Sequence, residues 1–599
     1  MYGGSIGTFK NTGTITTNGA NGIYIHGGTI KSLDNSGIIS SAQTGIIFEK
    51  LNWTVAKIET LNNTGSIIGQ NKHGLYITGS TDSLHTLNNS GLIYGGQAGI
   101  YVSGEWGVVG KMSTINNQGS IIGGQHGIHL VAFNGHLGST IENITSKGII
   151  LGKSGSGVHL DTSSQHIKDY IKLDGSNALI AGGTAGIHNK GTIGVNNNGK
   201  SVNNGNVIDL QNGATIAALT FSEDGNSYTY NQEGTAILNE GNIQGNINLD
   251  KESKIIGALH NKNTIGGNIS LNDKSYITSI NNEKTIQGSI DLKNKSHIDS
   301  IINSGTIEKG INLNQSTIGS IANSGSIGNG GIKLDDSTIG SITNNEGAKT
   351  DLDLKNNSIV GTITNNGDME ISRDETSSIG TFANNGNLKN TFENKDTLGT
   401  LENTKGAILE KGLNNDNGSI GLINNAGTIA SITNTFNDKT KDAKENKGYI
   451  GVITNTGTIG KEASPLATQD ITYGINNSGT IEKLINSSGD LTDPNAGKDI
   501  HIFGGINNSG YINIENTGNI HGGITNSGTL VVNNGHIHPA TADHEATWHS
   551  GYIGKNNNGY QLENNTGGKI SIDGWYFDEL EYTQSNEQRL ENSIIIGGN

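Results

Sequence analysis

The sequence predicts an all-β fold, a right-handed parallel β-helix that forms a single elongated rod with a few loop excursions. Three observations lead to this prediction. A unit of about 21 residues recurs along the chain, the unit alternates apolar and polar residues, and the composition combines 91 glycines with only 3 prolines and no cysteine. The expected handedness follows from the preference of parallel strands for right-handed crossovers.

The repeat is clearest between residues 299 and 364. The pattern I-x-N-x-G-x-I begins at Ile301, and close copies begin at Ile321 and Ile342. Toward the N-terminus the coils are longer, and N-x-G or a close variant follows a second series of apolar anchors: Phe9, Leu33, Leu61, Leu87, Ile115 and Ile144. We expect Ile301, Ile321 and Ile342 to lie in one internal column and the asparagine amides to stack coil on coil as a hydrogen-bonded ladder.

Each unit also contains a short alternating segment, such as Ile311-Asn312-Leu313. Alternation with period two is typical of a strand that buries one face. The glycine two residues after the asparagine suits a backbone that turns with positive φ or approaches its neighbour closely.

Breaks in the repeat divide the chain into five segments. We expect longer coils over 1–162, irregular coils with a loop or hairpin over 163–233, regular coils over 234–430, coils with inserted loops over 431–574, and a C-terminal coil or linker over 575–599. Met1 begins in mid-repeat, which indicates a fragment of a longer protein.

Charge and composition exclude some classes of partner. The net charge is −16, and the basic residues include only two arginines, Arg373 and Arg589, so we expect no nucleic-acid partner. No apolar run approaches the roughly 20 residues that span a membrane as a helix. The absence of cysteine is compatible with passage through an oxidising compartment.

The coils of the form N-[NTS]-G-x-I-x-G resemble the passenger domains of Gram-negative autotransporters, and this resemblance covers nearly the whole chain. It implies a passenger that stands outside the cell and is anchored to the outer membrane by a translocator barrel absent from this sequence. It also implies a cell-surface adhesin or virulence factor. Its expected partners are a host-cell protein or glycan, or another copy of itself.

A second signature, Gly-aliphatic-ring-aliphatic, recurs in the N-terminal coils, for example at Gly22-Ile23-Tyr24-Ile25. Alternation places the ring outside the coil. We therefore predict an exterior ladder of rings that could bind sugars or a partner strand, with packing across strands as the alternative. The ladder consists of Tyr24, Tyr76, Tyr101, His129 and His159.

The same scaffold also supports polysaccharide-degrading enzymes similar to pectate lyases and polygalacturonases, which gather carboxylates on one outer face. Candidate carboxylates here are Asp335, Asp336, Asp351 and Asp353. The predicted outward row, however, mixes acids with amides and a lysine: Asn248, Ser270, Asp291, Asn312, Lys333, Asp353 and Glu370. We therefore predict no catalytic residue and no cofactor, with such an enzyme as the alternative.

A histidine-rich segment near the C-terminus carries the residue types that ligate Zn²⁺ or Cu²⁺. Its candidate ligands are His536, His538, His544 and His549. The spacing departs from the i, i+4 pair of zinc proteases, which favours a polar exposed loop. The sequence therefore predicts a non-enzymatic surface adhesin, with a self-associating aggregation factor as a further alternative.

Overall fold

The computed structural model divides the chain into two compact units, Met1–Gly331 (unit 1) and Ile332–Asn599 (unit 2). It describes residues 4–49, 56–78, 83–104, 109–132, 138–194, 205–225, 227–436, 447–462, 473–487, 498–538, 547–549, 551–575 and 596–597. Each unit stacks parallel strands from coil to coil, and the described residues contain no α-helix. The predicted all-β parallel β-helix is confirmed. Within these same residues, no helix long and apolar enough to cross a membrane occurs.

In the first coils of unit 1, each coil contributes three strands, and each strand pairs in parallel with its counterpart in the next coil. The first column consists of Ser5–Asn11, Gly28–Asn35, Ala56–Asn63, Leu84–Asn89, Lys111–Asn117, Thr140–Ser146 and His166–Asp174. The second consists of Thr14–Thr17, Ile38–Ser41, Ser66–Gly69, Leu92–Gly95, Ser120–Gly123, Ile149–Gly152, Leu179–Gly182 and Thr215–Phe221. The third consists of Asn21–His26, Thr44–Glu49, His73–Thr78, Ala98–Gly104, His126–Ala132, Ser156–Leu160, Ala185–Asn189 and Thr235–Asn239.

The cross-section of the coil changes between His166 and Asn261. The strand His166–Asp174 pairs with two separate short strands, and the second and third columns merge into the single strand Lys254–Asn261. The merged column continues as Tyr276–Asn282, His297–Asn303 and Thr317–Asn323. The short strands are Thr192–Ile193, Asn242–Ile243, Thr264–Ile265, Thr285–Ile286, Thr306–Ile307 and Ser326–Ile327 in one column, and Asn206–Gln211, Asn246–Leu249, Ile269–Leu271, Ile290–Lys293 and Ile311–Asn314 in the other.

Unit 2 contains one continuous column of long strands. Opposite it, the long strands Lys349–Lys355 and Asp368–Arg373 are followed by two columns of short strands that begin at Asn387–Leu388 and Phe392–Asn394. The strands of the continuous column are Thr338–Asn344, Ile359–Asn365, Ser378–Asn384, Thr397–Asn403, Ser419–Asn425, Tyr449–Asn455, Thr480–Asn486, Tyr511–Asn516, Thr529–Asn534 and Lys569–Trp575. The other strands are Ile332–Asp335, Lys349–Lys355, Asp368–Arg373, Asn387–Leu388, Phe392–Asn394, Ile408–Leu409, Leu413–Asp416, Thr428–Ile429, Ile432–Thr435, Thr458–Ile459, Ile475–Asn477, His501–Ile502, Ile506–Asn508, Asn519–Ile520, Ile524–Asn526, Tyr552–Ile553, Leu562–Asn564 and Ile596–Gly597.

Two antiparallel pairs depart from the parallel stack. In unit 1, Thr215–Phe221 pairs with Tyr228–Tyr230 at the place where the sequence predicts a loop or hairpin. In unit 2, His536–His538 pairs with Thr547–His549.

The apolar anchors line the interior, but they belong to two columns and not to one. Leu33 stacks on Leu61, and by successive strand pairing this column reaches Ile290 and Ile311. Ile301 and Ile321 stack on each other in the merged column, and both are fully or almost fully buried. The expected stacking of Ile301 on Ile321 is confirmed, and the N-terminal anchors form a column of their own. The N-x-G signature marks a turn, and more than one corner of the coil uses that turn.

The asparagines accordingly form two buried ladders in unit 1. Each amide donates to the side-chain oxygen of the asparagine in the next coil, over 2.7–2.8 Å. The first ladder consists of Asn11, Asn35, Asn63, Asn89 and Asn117, and the second of Asn189, Asn239, Asn261, Asn282, Asn303 and Asn323.

Unit 2 contains two further ladders of the same kind, joined through the same amide-to-oxygen bonds. One consists of Asn344, Asn365, Asn384, Asn403, Asn425, Asn455, Asn486, Asn516 and Asn534. The other consists of Asn394, Asn415, Asn434, Asn477, Asn508, Asn526 and Asn564.

The glycine after each ladder asparagine is required by close packing between coils. A Cβ atom at Gly65 would lie 2.0 Å from the carbonyl oxygen of Gly37, and one at Gly91 would lie 2.0 Å from that of Gly65. Neither glycine has a positive φ. Of the two explanations that the sequence left open, close approach of the backbone is therefore the correct one for these turns.

Candidate functional site: a ring surface and a histidine cluster

The predicted ring ladder lies on the outside of the third strand column of unit 1. Strand pairing places Tyr76 beside Tyr101, Tyr101 beside His129, and His129 beside His159. Two details differ from the prediction. Ile47 lies between Tyr24 and Tyr76, and the column continues beyond His159 to His188. The sequence signal for His188 was present in Gly186-Ile187-His188, but an asparagine replaces the second aliphatic residue there.

The ring surface, as we call it, consists of the three tyrosines of the ladder, Tyr24, Tyr76 and Tyr101. Their side chains are half-buried on the outer face. The rings of Tyr76 and Tyr101 meet edge to face, with centroids 5.2 Å apart. His73, which the sequence analysis did not single out, stacks on Tyr101 at 4.2 Å and is almost fully buried. The Tyr24 hydroxyl donates to the Glu49 carboxylate. The tyrosine rings are therefore held in place by their neighbours.

Next to the ring surface, three imidazoles converge. One nitrogen from each of His126, His129 and His159, which we call the histidine cluster, lies within 4.8 Å of the other two. The ring centroids of His126 lie 4.4 Å from those of His129 and of His159, and the last two are 5.0 Å apart. His126 precedes His129 by three residues on the same strand, and their rings are in contact.

Two nitrogens of the cluster are buried without a hydrogen-bond partner among the described residues. They are Nε2 of His129 and Nδ1 of His159. Buried polar atoms in folded proteins are nearly always hydrogen-bonded, so two adjacent exceptions indicate a special role. The remaining ring, that of His126, accepts a hydrogen bond at Nδ1 from the backbone N–H of Ser156, over 3.0 Å.

The surroundings keep these imidazoles neutral. Burial, reinforced by the neighbouring imidazoles, lowers the pKa of His129 to about 2 and that of His159 to about 4. Burial also lowers the pKa of His126. His73 follows the same rule, since burial lowers its pKa to about 4. A neutral imidazole keeps a lone pair available, whereas a protonated one does not.

Two carboxylates lie on one side of the cluster. Nε2 of His159 lies 3.4 Å from Oδ1 of Asp161, and Nε2 of His188 lies 2.9 Å from Oε2 of Glu240. The Asp161 contact directs the proton of His159 to Nε2 and leaves Nδ1 as the acceptor.

The candidate catalytic carboxylates are held by their neighbours. Asp353 contacts Nζ of Lys355 at 2.9 Å and accepts from the Ser372 hydroxyl at 3.0 Å, and Asp335 accepts from the Asn356 amide at 2.5 Å. In unit 1 the predicted outward row is correct from Asn248 to Asn312. In unit 2 it is wrong at one position. Glu370 pairs with Asp351, and Ser372 lies beside Asp353, because Arg373 occupies the position next to Leu354 that an aliphatic residue was expected to fill.

The predicted C-terminal metal candidates can be placed only by their backbone. His536 lies opposite His549 in the antiparallel pair, and His538 belongs to the same strand. His544 lies outside the described residues, and so do the side chains of the other three.

Unit 2 has an aromatic cluster that the sequence analysis missed. Phe503 stacks on His521 at 4.7 Å and on His501 at 5.1 Å, and Tyr552, which is 50% exposed, packs against His521. Nδ1 of His501 lies 3.2 Å from Nε2 of His521, so these two imidazoles satisfy each other. The only available signal was the recurrence of a ring beside the short Ile502 and Ile520 strands.

No family model, curated protein or solved structure matches this chain.

Proposed function

We propose that this chain is a non-enzymatic adhesin, displayed on the cell surface as an autotransporter passenger, that binds a host glycan or protein through the ring surface. The observation that carries the proposal is the row of half-buried tyrosine rings, Tyr76 and Tyr101 in contact, on a stack of paired strands. Aromatic faces with a polar tip are well suited to contact sugar rings or a partner strand.

Rigidity supports this function. His73 packs behind Tyr101, and each strand of the column pairs with the next, so little side-chain entropy remains to be lost on binding. A fold of stacked, repeated coils also suits a protein that presents a surface away from its anchor. The enzymatic alternative has less support, because Asp335 and Asp353 are committed to neighbouring amide, hydroxyl and ammonium groups.

The test of binding is the triple variant Tyr24→Ser, Tyr76→Ser and Tyr101→Ser. We expect its binding to host cells or a glycan array to fall at least tenfold, since each change removes a ring face. Tyr511→Ser, at an exposed tyrosine of unit 2, is the matched control and should bind as the wild type does. Wild-type binding by the triple variant, with its circular-dichroism spectrum unchanged, would contradict the ring surface as the binding site.

The test of display is separate. Added protease should cleave the chain on intact cells of the bacterium that produces it, while a periplasmic marker stays intact. Protection of the chain until the outer membrane is permeabilised would contradict surface display.

A self-associating rod is the second candidate, and one observation favours it. An outer row of amides runs beside the buried ladder of unit 1. Asn62 donates to Asp34, Asn88 donates to Asn62 and Asn116 donates to Asn88, over 2.7–2.9 Å. Such a row can pair with a second copy in register. Sedimentation velocity over a hundredfold concentration range distinguishes the two candidates, because an adhesin for host cells alone should keep a constant sedimentation coefficient.

A further inference from the structure

We infer that the histidine cluster of unit 1 is a binding site for a divalent transition-metal ion, Zn²⁺ or Cu²⁺, with His129 Nε2 and His159 Nδ1 as the primary ligands and His126 as the third. The inference does not depend on the proposed adhesion, because it concerns a different ligand and different side chains from those of the ring surface.

The first argument is the pair of donor atoms. Nε2 of His129 and Nδ1 of His159 are buried, belong to directly paired residues on adjacent strands, and lack a hydrogen-bond partner among the described residues. His159 is only 8% exposed. Leaving such an atom unpaired costs about 1–3 kcal/mol. A metal ion that accepts both lone pairs would remove this cost.

The second argument is the proton on the other side of the ring. The Asp161 carboxylate, 3.4 Å from Nε2 of His159, holds the ring in the tautomer that has a free Nδ1. Metal-bound histidines usually donate their second nitrogen to a carboxylate or carbonyl in this way, which fixes the ring and strengthens the ligand.

The third argument is the protonation state. Metal ligation requires neutral imidazole. The three ring centroids lie 4.4–5.0 Å from one another, so protonated imidazoles at these positions would repel one another. His188, the next ring in the column, is engaged by Glu240 and closes the cluster on that side.

The distances require a modest contraction. In a tetrahedral site with Zn–N bonds of about 2.0–2.1 Å, the ligand nitrogens lie about 3.3 Å apart. The three nitrogens lie within 4.8 Å of one another, so they close by about 1.5 Å at most. Small rotations of the side chains achieve this. His126 gives up its hydrogen bond from Ser156 if it ligates through Nδ1, and is therefore the weakest ligand.

Gly155 provides the space for the third ligand. A Cβ atom at this position would lie 2.5 Å from Cε1 and 2.6 Å from Nδ1 of His126. The Gly155→Ala change therefore displaces the His126 ring without altering any ligand chemically. Three imidazoles with no thiolate or carboxylate ligand favour Zn²⁺ or Cu²⁺ over Mg²⁺ or Ca²⁺, which prefer oxygen.

The experiment uses the full chain, stripped with EDTA, and titrates it by calorimetry with Zn²⁺, Cu²⁺ and, as a negative control, Mg²⁺. We expect one Zn²⁺ or Cu²⁺ site per chain. His129→Gln and His159→Gln should each weaken it at least tenfold, and Gly155→Ala by a smaller factor. His260→Gln, at an imidazole of unit 1 that pairs with Glu283 outside the cluster, should bind as the wild type does. Electron paramagnetic resonance of the Cu²⁺ form should show nitrogen ligation that His129→Gln reduces.

Three outcomes would overturn the inference. They are the absence of Zn²⁺ and Cu²⁺ binding to the wild type, unchanged binding by His129→Gln and His159→Gln, or loss of binding on replacing His536 and His538 instead. Hydrogen exchange of each variant without metal serves as the folding control. Adhesion by the metal-stripped protein is measured in parallel, so failure of this inference leaves the adhesion test intact.

Discussion

In both the asparagine ladders and the histidine cluster, a polar side chain of one coil stacks on a counterpart in the next coil. In the ladders the polar groups are paired: the Asn89 amide donates to Asn117 and accepts from Asn63, both at 2.8 Å. In the cluster, His129 Nε2 and His159 Nδ1 are buried without hydrogen-bond partners among the described residues.

The difference teaches how a repeat separates structure from function. An amide carries both a donor and an acceptor, so a column of amides satisfies itself at any length. A neutral imidazole also carries one of each, but its two nitrogens point in different directions. Stacked imidazoles therefore leave lone pairs facing one another, and a bound cation can use them. The His501–His521 pair of unit 2, whose nitrogens meet at 3.2 Å, lacks this unsatisfied arrangement.

The largest expected effect is that acid loosens the histidine region and spares the ladders. Unfolded histidines bind protons near pH 6.5, whereas burial lowers the pKa of His73 and His159 to about 4 and that of His129 to about 2. Unfolding therefore takes up protons. The stability that the neutral imidazoles contribute is fully present above pH 6.5 and is lost as the pH falls toward 4. Between pH 7 and pH 5, each of these imidazoles lowers the free energy of unfolding by roughly 1–2 kcal/mol.

Hydrogen exchange in EDTA at pH 7 and pH 5, corrected for intrinsic rates, measures this loss. Peptides that cover residues 126–160 should lose protection, and peptides that cover 397–435, which contain no histidine, should not. Equal loss in both regions would show that acid acts through something other than the buried imidazoles.

A smaller effect is expected from adjacent asparagines of one strand. Asn89→Ala removes the buried hydrogen bonds to Asn117 and Asn63 and leaves those two side chains without a partner. This change should lower the free energy of local unfolding by about 2–4 kcal/mol. Asn88 makes comparable bonds in the exposed outer row, where water can replace them, so Asn88→Ala should cost less than about 0.5 kcal/mol. Hydrogen exchange of residues 84–123 measures both. Similar costs for the two variants would contradict the claim that burial gives the ladder its strength.

The smallest effect is expected at Arg373, where a charge interrupts a buried column of unit 2. Arg373 pairs in register with Leu354, is 6% exposed, and donates to the carbonyl oxygens of Glu393 and Thr397 at 3.1 and 3.2 Å. Burial lowers its pKa to about 10. The desolvation cost of this unpaired cation offsets its hydrogen bonds, so Arg373→Met should change stability by less than about 1 kcal/mol. Urea denaturation measures the change, and a loss above 2 kcal/mol would mean that the two carbonyl bonds dominate.

Much of the fold could be predicted because strand periodicity and turn residues are local signals. The alternation around Ile311 and the N-x-G turns sufficed for parallel stacking, and the ring positions from Tyr76 to His159 are in register as expected. The assignment of Glu370 beside Asp353 failed because Glu370 lies between the apolar residues Met369 and Ile371, whereas the true neighbour, Ser372, is followed by the charged Arg373. Ile47 escaped notice because an aliphatic residue fits the outer position as well as a ring does.

The sequence alone determined that short strands stack in parallel with aliphatic residues inside and asparagines at the turns, since both signals depend only on neighbouring residues. Only the tertiary structure decided that the anchors of Leu33 and Ile301 belong to different columns, because the same turn chemistry serves several corners of a coil. It alone also brought His126 to His159, 33 residues away, because their contact depends on the length of a whole coil.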